Sequence, residues 1–149
     1  MKKLIAGMAA LMISFSALAG VDGLVVKPSK YPVGETLDRL EKVVTAKGFI
    51  IFTRIDHAAA AEKAGLTMRP TQVLIFGNPT GGTPLMEAAP TAAIDFPLKA
   101  MAWEDAKGKV WLAYNTGSYL KKRHHMKGKD EAIKKIDAGL NALTDKALE

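Results

Sequence analysis

Two segments with a one-sided apolar stripe lie near opposite ends of this chain, and they constrain its fold more than any other feature. The apolar positions fall three and four residues apart in each; they are Leu37, Leu40 and Val44 within residues 35–47, and Ile133, Ile136, Leu140, Leu143 and Ala147 within residues 130–148. Such spacings place apolar side chains on one side of an α-helix. Each helix must therefore pack that side against another apolar surface.

The segments between the two helices are rich in β-branched and aromatic residues, which are typical of strands. Strands are predicted at 24–26, 49–55, 71–76, 98–103 and 110–114, with 49–55 largely buried. The last two flank a Gly-containing loop and form a β-hairpin. Short helices are predicted at 57–64 and from Thr83, as N-cap, to Pro90. This order indicates an α+β fold, with an antiparallel sheet and the two long helices on one face.

The first nineteen residues have the features of a secretory signal peptide. Lys2 and Lys3 precede an uncharged apolar run, and Ala17-Leu18-Ala19 forms a small-x-small cleavage site. We therefore expect a leader at 1–19, a single domain at 20–149 that is exported to the periplasm or secreted, and no membrane anchor. Without Lys2 and Lys3, 19 basic residues stand against 15 acidic ones, a net charge of +4. Export and this moderate charge argue against nucleic acid as a partner.

Several motifs make the chain similar to a known family. They include Val73-Leu74-Ile75-Phe76-Gly77-Asn78-Pro79 followed by Gly82-Thr83-Pro84-Leu85-Met86, and a closing Tyr119-Leu120 with Arg123-His124. The chain resembles the domain of unknown function 302 family over essentially all of residues 20–149. The resemblance implies a fold similar to one half of the TATA-binding protein, paired as a homodimer. It implies neither DNA binding nor an activity.

A glycine-rich turn is the first candidate for a binding site. Residues 77–82 join a strand to a helix, and Gly77 and Asn78 open the turn. Free backbone N–H groups at such a junction favour an anion. The turn lacks the lysine of a phosphate-binding Walker loop. A tight structural turn is the alternative interpretation.

Charged side chains supply the other candidates. His57 stands next to Asp56 at a strand end, Asp95 lies in an apolar run, and Glu104 begins the hairpin loop. A basic run follows at 121–129, in which Arg123 can hold a carboxylate bidentately and His124 adds an imidazole. The run is interpreted as a solvated loop, and binding to an anionic ligand or to an anionic membrane surface is the alternative.

These residues point most directly to a non-enzymatic module that binds a small anionic ligand. The candidates for the ligand site are His57, Gly77, Asn78, Asp95, Glu104, Arg123 and His124. An acid/base enzyme that uses His57 with Asp95 or Glu104 is the alternative, and a weak metal-binding protein is another. No cofactor and no metal ligand set is predicted, because the histidines lack metal-binding spacing.

Overall fold

The computed structural model describes residues 20–149, and the leader prediction for residues 1–19 lies outside them. Five strands and five α-helices are joined mostly by short connections. They are β1 Leu24–Ser29, α1 Val33–Ala46, β2 Ile50–Asp56, α2 His57–Lys63, β3 Thr71–Gly77, α3 Pro79–Ala88, β4 Leu98–Glu104, β5 Val110–Asn115, α4 Gly117–Arg123 and α5 Asp130–Leu148. A 3₁₀ helix, Pro90–Ile94, lies between α3 and β4.

The strands form one antiparallel sheet in the order β1-β5-β4-β3-β2. The sheet confirms the predicted α+β class and the predicted hairpin, which is β4 and β5. The helices α1 and α5 pack against each other and cover one face of the sheet. The helices pack in this way because their apolar stripes become buried. Leu37, Leu40 and Val44 have no exposed surface, and Leu140 is 2% exposed.

Strand β2 differs from its prediction as a largely buried strand. It is an edge strand that pairs only with β3 among the described residues, and a bulge interrupts its register between Ile51 and Thr53. Three of its apolar side chains, Ile50, Phe52 and Ile55, are 39–53% exposed. The β-branched and aromatic composition predicted the strand correctly. These three side chains are nevertheless exposed, because α1 and α5 cover the opposite face of the sheet.

The helix predicted to begin at Thr83 begins earlier. Asn78 is the N-cap and its side chain accepts a hydrogen bond from the Thr80 N–H, while Pro79 occupies the first helical position. Both residue types favour a helix start at those positions. Residues 79–82 are therefore the first turn of α3, and Pro84 lies inside the helix.

The basic run was interpreted as a solvated loop, and its first part is helical instead. Thr116 caps α4 by accepting from the Tyr119 N–H, and Asp137 of α5 accepts from the Gly117 N–H. Leu120 anchors the helix with 2% of its surface exposed. The helix is too short for a periodic pattern, and its start is fixed by the local Thr116 cap together with the Asp137 contact from α5, which the local sequence does not contain. Between residues 20 and 149, no helix has both the length and the apolar character needed to cross a membrane.

Candidate functional site

A pocket of about 280 Å³ lies between α5, the end of β3 and the start of α3. We call it the inner pocket. Most of its lining is apolar, from the rings of Phe49 and Phe96 and the side chains of Leu98, Ile136 and Leu143. Its volume is at the small end of the range for ligand sites, which run from about 300 to 1,000 Å³. The pocket therefore suits a small molecule with an apolar body.

Glycines on opposite walls create the space in the inner pocket. Gly81 and Gly82 come from the first turn of α3, and Gly139 comes from the middle of α5. A Cβ atom added at Gly81 or Gly139 would meet nothing within 4 Å, and one at Gly82 would lie 3.8 Å from the Phe96 ring. Side chains at these positions would fill the pocket without a backbone clash.

Two polar side chains border this apolar space. Lys135 is the one charged residue lining the inner pocket within the described chain, and it forms no ion pair or hydrogen bond there. Asn78 uses its Oδ1 to cap α3, at 3.0 Å from the Thr80 nitrogen, and this leaves its Nδ2 amide free to donate. A cation and an amide donor thus stand at the border of an apolar pocket.

The backbone N–H groups expected to bind an anion are already occupied. The Thr80 N–H donates to the Asn78 side chain, and the Gly81 and Gly82 N–H groups donate to the Asn78 carbonyl at 3.0 and 2.9 Å. Pro79 has no N–H. Residues 77–82 therefore shape the pocket with their small size rather than bind through their backbone.

A second pocket of about 250 Å³ is also lined by Phe96, and we call it the outer pocket. Phe52, Met86 and Pro97 line it, and Gly77, Asn78, Gly82 and Phe96 line both pockets. A side chain at Gly77 would be tightly packed, because its Cβ would lie 3.2 Å from Pro97 Cβ and Pro97 would have to shift by a few tenths of an ångström. The two pockets are neighbours, and Phe96 is the one aromatic residue that lines both of them.

Three of the predicted site residues meet in a polar cluster beside Phe96. The Asp95 Oδ2 atom lies 2.5 Å from His124 Nε2 and 3.1 Å from Arg123 Nε. The other imidazole nitrogen of His124 lies 3.0 Å from the Thr91 hydroxyl. Asp95, Arg123, His124 and Thr91 form what we call the Asp95 cluster, which ties the 3₁₀ helix to the end of α4.

The charges of the Asp95 cluster are largely satisfied internally. Arg123 donates through Nη1 to the Tyr119 hydroxyl, at 3.2 Å, and this hydrogen bond with the nearby Asp95 charge raises the pKa of Arg123. The His124 side chain is only 6% exposed, whereas Arg123 is 49% exposed. Neither Arg123 nor His124 lines the inner or the outer pocket. The cluster is thus a junction between elements that stands next to the pockets.

His57 and Glu104 belong to neither pocket nor to the Asp95 cluster. His57 is exposed at the start of α2 and makes no hydrogen bond with Asp95 or Glu104. Glu104 pairs with Arg69, at 3.4 Å, at the far end of β4. The acid/base pairs considered from the sequence are therefore not assembled in this structure.

In the part of the chain that the structure describes, no group of three His, Cys, Asp or Glu side chains could hold a metal ion.

Sequence reasoning missed the residues that most define the pockets. Lys135 is one of several lysines on α5, and Phe96 is one apolar residue in an apolar run. Lys134 and Lys135 are both exposed and lie on the same helix, and they differ locally only in that Lys134 pairs with Glu131, at 2.9 Å. Only the packing of α5 beside α3 identifies Lys135 as the one that borders a pocket.

Comparisons with known proteins identify relatives but no activity for this region. The model of a family described as "Domain of unknown function DUF302" matches residues 25–143. A "Fluoride-specific ion channel FluC 1" of Brucella suis is 43% identical over 123 residues, which are 82% of this chain and 48% of that protein. The protein of the same name in Brucella abortus is also 43% identical, over 46% of its length. The chain thus spans about half the length of these curated relatives.

One solved structure is similar along almost its whole length. It is titled "Crystal structure of uncharacterized conserved protein DUF302 from Bacillus stearothermophilus", with a TM-score of 0.68 and 18% sequence identity. The similarity covers 86% of this chain and 97% of that one. At this identity the likeness concerns the fold alone.

Proposed function

The chain belongs to the DUF302 family, and we propose that this member is a binding module for a small apolar molecule that carries one anionic group. The apolar part occupies the inner pocket, and the anionic group lies at Lys135 with the Asn78 amide beside it. An anionic ligand is also expected from the sequence, at the turn of residues 77–82. In this proposal its charged group lies at Lys135 of α5 instead. The observation that carries the proposal is an apolar pocket bordered by a lysine without an ion-pair partner in residues 20–149.

Magnitudes indicate which part of the ligand dominates the binding free energy. Each buried methylene contributes about 0.8 kcal/mol, so six of them contribute about 5 kcal/mol before the association penalty. An ion pair with an exposed lysine contributes at most about 1 kcal/mol. The apolar body therefore supplies most of the affinity, and Lys135 selects the charge.

The lining also favours binding over catalysis. The described residues around the inner pocket include no His, Asp or Glu side chain that could act as an acid or a base. The His124 imidazole contacts the Asp95 carboxylate, which also pairs with Arg123, and none of the three lines the inner pocket. These observations support the interpretation as a non-enzymatic module.

Calorimetric titration with octanoate tests the proposal, with octanamide as the uncharged analogue. We expect the Gly139→Leu variant to bind octanoate at least tenfold more weakly, because its side chain fills the pocket. The matched control Ala138→Leu adds the same side chain at an exposed position one residue away and should leave binding unchanged. Lys135→Gln should weaken octanoate binding two- to fivefold and leave octanamide binding unchanged, and Lys134→Gln should change neither.

Inorganic anions distinguish this proposal from a site for a simple anion. Sulfate and fluoride belong in the same titration, fluoride because it is the ion in the printed name of the curated relatives. If either ion binds as tightly as octanoate and Arg123→Ala removes that binding, the proposed apolar ligand is wrong. Equal binding of octanoate by the wild type and by Gly139→Leu would exclude the inner pocket.

A second copy of the chain is the partner we propose for the open face of the sheet, the face opposite α1 and α5. Five strands about 4.8 Å apart and about 20 Å long give a face on the order of 500 Å² in projection. Two such faces together approach the lower limit of roughly 1,200 Å² for stable interfaces. Pairing through the sheet edges is less favourable, since Pro28 in β1 has no N–H to donate and a bulge interrupts the register of β2.

Export of the protein also stays a proposal, supported by the pattern of residues 1–19. Cleavage after Ala19 predicts that the exported protein starts at Gly20. Intact-mass measurement on the periplasmic or secreted fraction tests this, and recovery of a chain that starts at Met1 would contradict it.

A further inference from the structure

Phe96 is the largest side chain shared by the inner and outer pockets. The other shared lining residues are Gly77, Asn78 and Gly82, so no other wide side chain stands at this boundary. A Cβ atom added at Gly82 would lie 3.8 Å from the Phe96 ring, and the ring packs on an apolar cluster formed by Leu85, Ala89, Ala92, Met126 and Ile133. We propose that Phe96 sets the length of ligand that the inner pocket accepts, an inference that rests on the proposed function.

The residues on both sides of Phe96 are fixed by polar contacts. The Asp95 carboxylate is held by His124 and Arg123, at 2.5 and 3.1 Å. Lys99 Nζ donates to the backbone carbonyls of Asp95 and Pro97, at 2.9 and 3.1 Å. These contacts anchor the backbone that carries the ring. Asp95 thereby acts as a positioning residue for the boundary between the pockets.

The volumes give the ligand length on each side of this boundary. At about 30 Å³ for each non-hydrogen group, the inner pocket of about 280 Å³ holds roughly nine groups. The outer pocket of about 250 Å³ holds roughly eight more. An eight-carbon chain thus fills the inner pocket, and a twelve-carbon chain fits only if the two pockets are joined.

A series of straight-chain carboxylates from hexanoate to dodecanoate, titrated below micelle concentrations, tests the inference. In the wild type, affinity should rise about fourfold per methylene up to octanoate and then level off, so that dodecanoate and octanoate bind about equally. In Phe96→Ala the pockets join, and dodecanoate should bind at least tenfold more tightly than octanoate. Asp95→Ala should raise the same ratio several-fold and change octanoate affinity by less than twofold.

Two further variants make the result of this test easier to interpret. Met86 lines only the outer pocket, so Met86→Trp in the Phe96→Ala background should fill that pocket and return the ratio to about one. Phe96→Leu replaces Phe96→Ala if the latter unfolds, and it should change the ratio in the same direction. A folded Phe96 variant that keeps the wild-type ratio overturns this inference and leaves the proposed function standing. Failure of the wild type to bind any member of the series overturns the proposed function itself.

Discussion

On the face of the sheet that α1 and α5 cover, Leu74, Phe76 and Leu112 have no exposed surface. On the open face Met101, Trp103 and Trp111 are only partly buried, although they belong to neighbouring strands and are equally apolar. The register of the strands explains why some of their apolar side chains are covered and others are not. Trp103 pairs with Trp111, and Met101 pairs with Val73 and Ala113, so alternate residues of the same strands point to opposite faces.

The difference between the faces shows that apolar composition does not decide burial in this sheet. The two tryptophans stack on the open face with ring centroids 6.5 Å apart, and Lys109 lies over the Trp111 ring. Large exposed apolar surfaces mark interaction sites on soluble proteins. The covered face is therefore the source of the fold's stability, and the open face is the surface where we expect a second copy.

The largest expected effect is a loss of stability from a cavity on the covered face. Leu112→Ala should lower the free energy of unfolding by about 2–5 kcal/mol, because the surrounding core relaxes only in part. Met101→Ala, the matched truncation on the open face, should lower it by about 1 kcal/mol or less in dilute solution. Urea denaturation of both variants checks this. Equal losses would contradict the comparison of the two faces.

A smaller effect is expected on association through the open face. Trp103→Ala should weaken the proposed dimer about thirtyfold, or about 2 kcal/mol, as truncation of a buried interface aromatic does. Sedimentation velocity measures the change. Leu66→Ala, at a 66% exposed position outside the sheet, is the control and should leave the dimer intact. A wild-type protein that stays monomeric at roughly tens of micromolar would remove the dimer proposal.

A lysine on each face of the sheet allows the polar contacts of the two faces to be compared through their effect on stability. Lys27, next to α5, donates to Asn141 Oδ1, Thr144 and Asp145 at 2.6–2.9 Å and is 15% exposed. Lys27→Met should lower the free energy of unfolding by about 1–2 kcal/mol, because three acceptors lose a charged donor. Lys99→Met, at an exposed position on the open-face side of β4, should lower it by about 0.5 kcal/mol or less. Thermal denaturation monitored by circular dichroism compares the two variants.

The smallest effect concerns pH and the open face. A hydrogen bond from the Trp111 indole, at 2.8 Å, and backbone N–H groups of Lys109 and Lys107 lower the pKa of Asp105 below 3.8. The unfolded chain therefore binds the proton more tightly, so this contribution to stability is present above about pH 4 and is lost as pH falls through the lower pKa of the folded state. Both tryptophans of the chain are on the open face, so fluorescence reports this loss.

Substitution at Asp105 and at Asp130 separates this effect from general acid sensitivity. Asp105→Asn should remove the fluorescence change below pH 4. The pKa of Asp130 is also lowered, by its hydrogen bond to Lys121, but Asp130 touches neither tryptophan. Asp130→Asn should leave the fluorescence change in place. An unchanged acid transition in Asp105→Asn would refute the role of Asp105.

Residue chemistry in the sequence identified some of the residues at or beside the pockets, but not the residues that most define them and not their arrangement. Gly77 and Asn78 do line the pockets, and Asp95, Arg123 and His124 do meet. His57 and Glu104 had equally suitable side chains and lie elsewhere. Residue type indicates what a side chain can do, whereas its neighbours depend on which elements pack together.

The order of the long helices and the strands follows from local patterns, because each is encoded by a spacing or composition that residues a few positions apart share. The stripe from Ile133 to Ala147 defines α5, and the Gly-containing loop defines the β4–β5 hairpin. The folded packing, in contrast, sets which face of the sheet is covered, places β2 at an edge and puts Lys135 rather than Lys134 at a pocket. Those outcomes depend on contacts between residues far apart in the chain, which no local pattern contains.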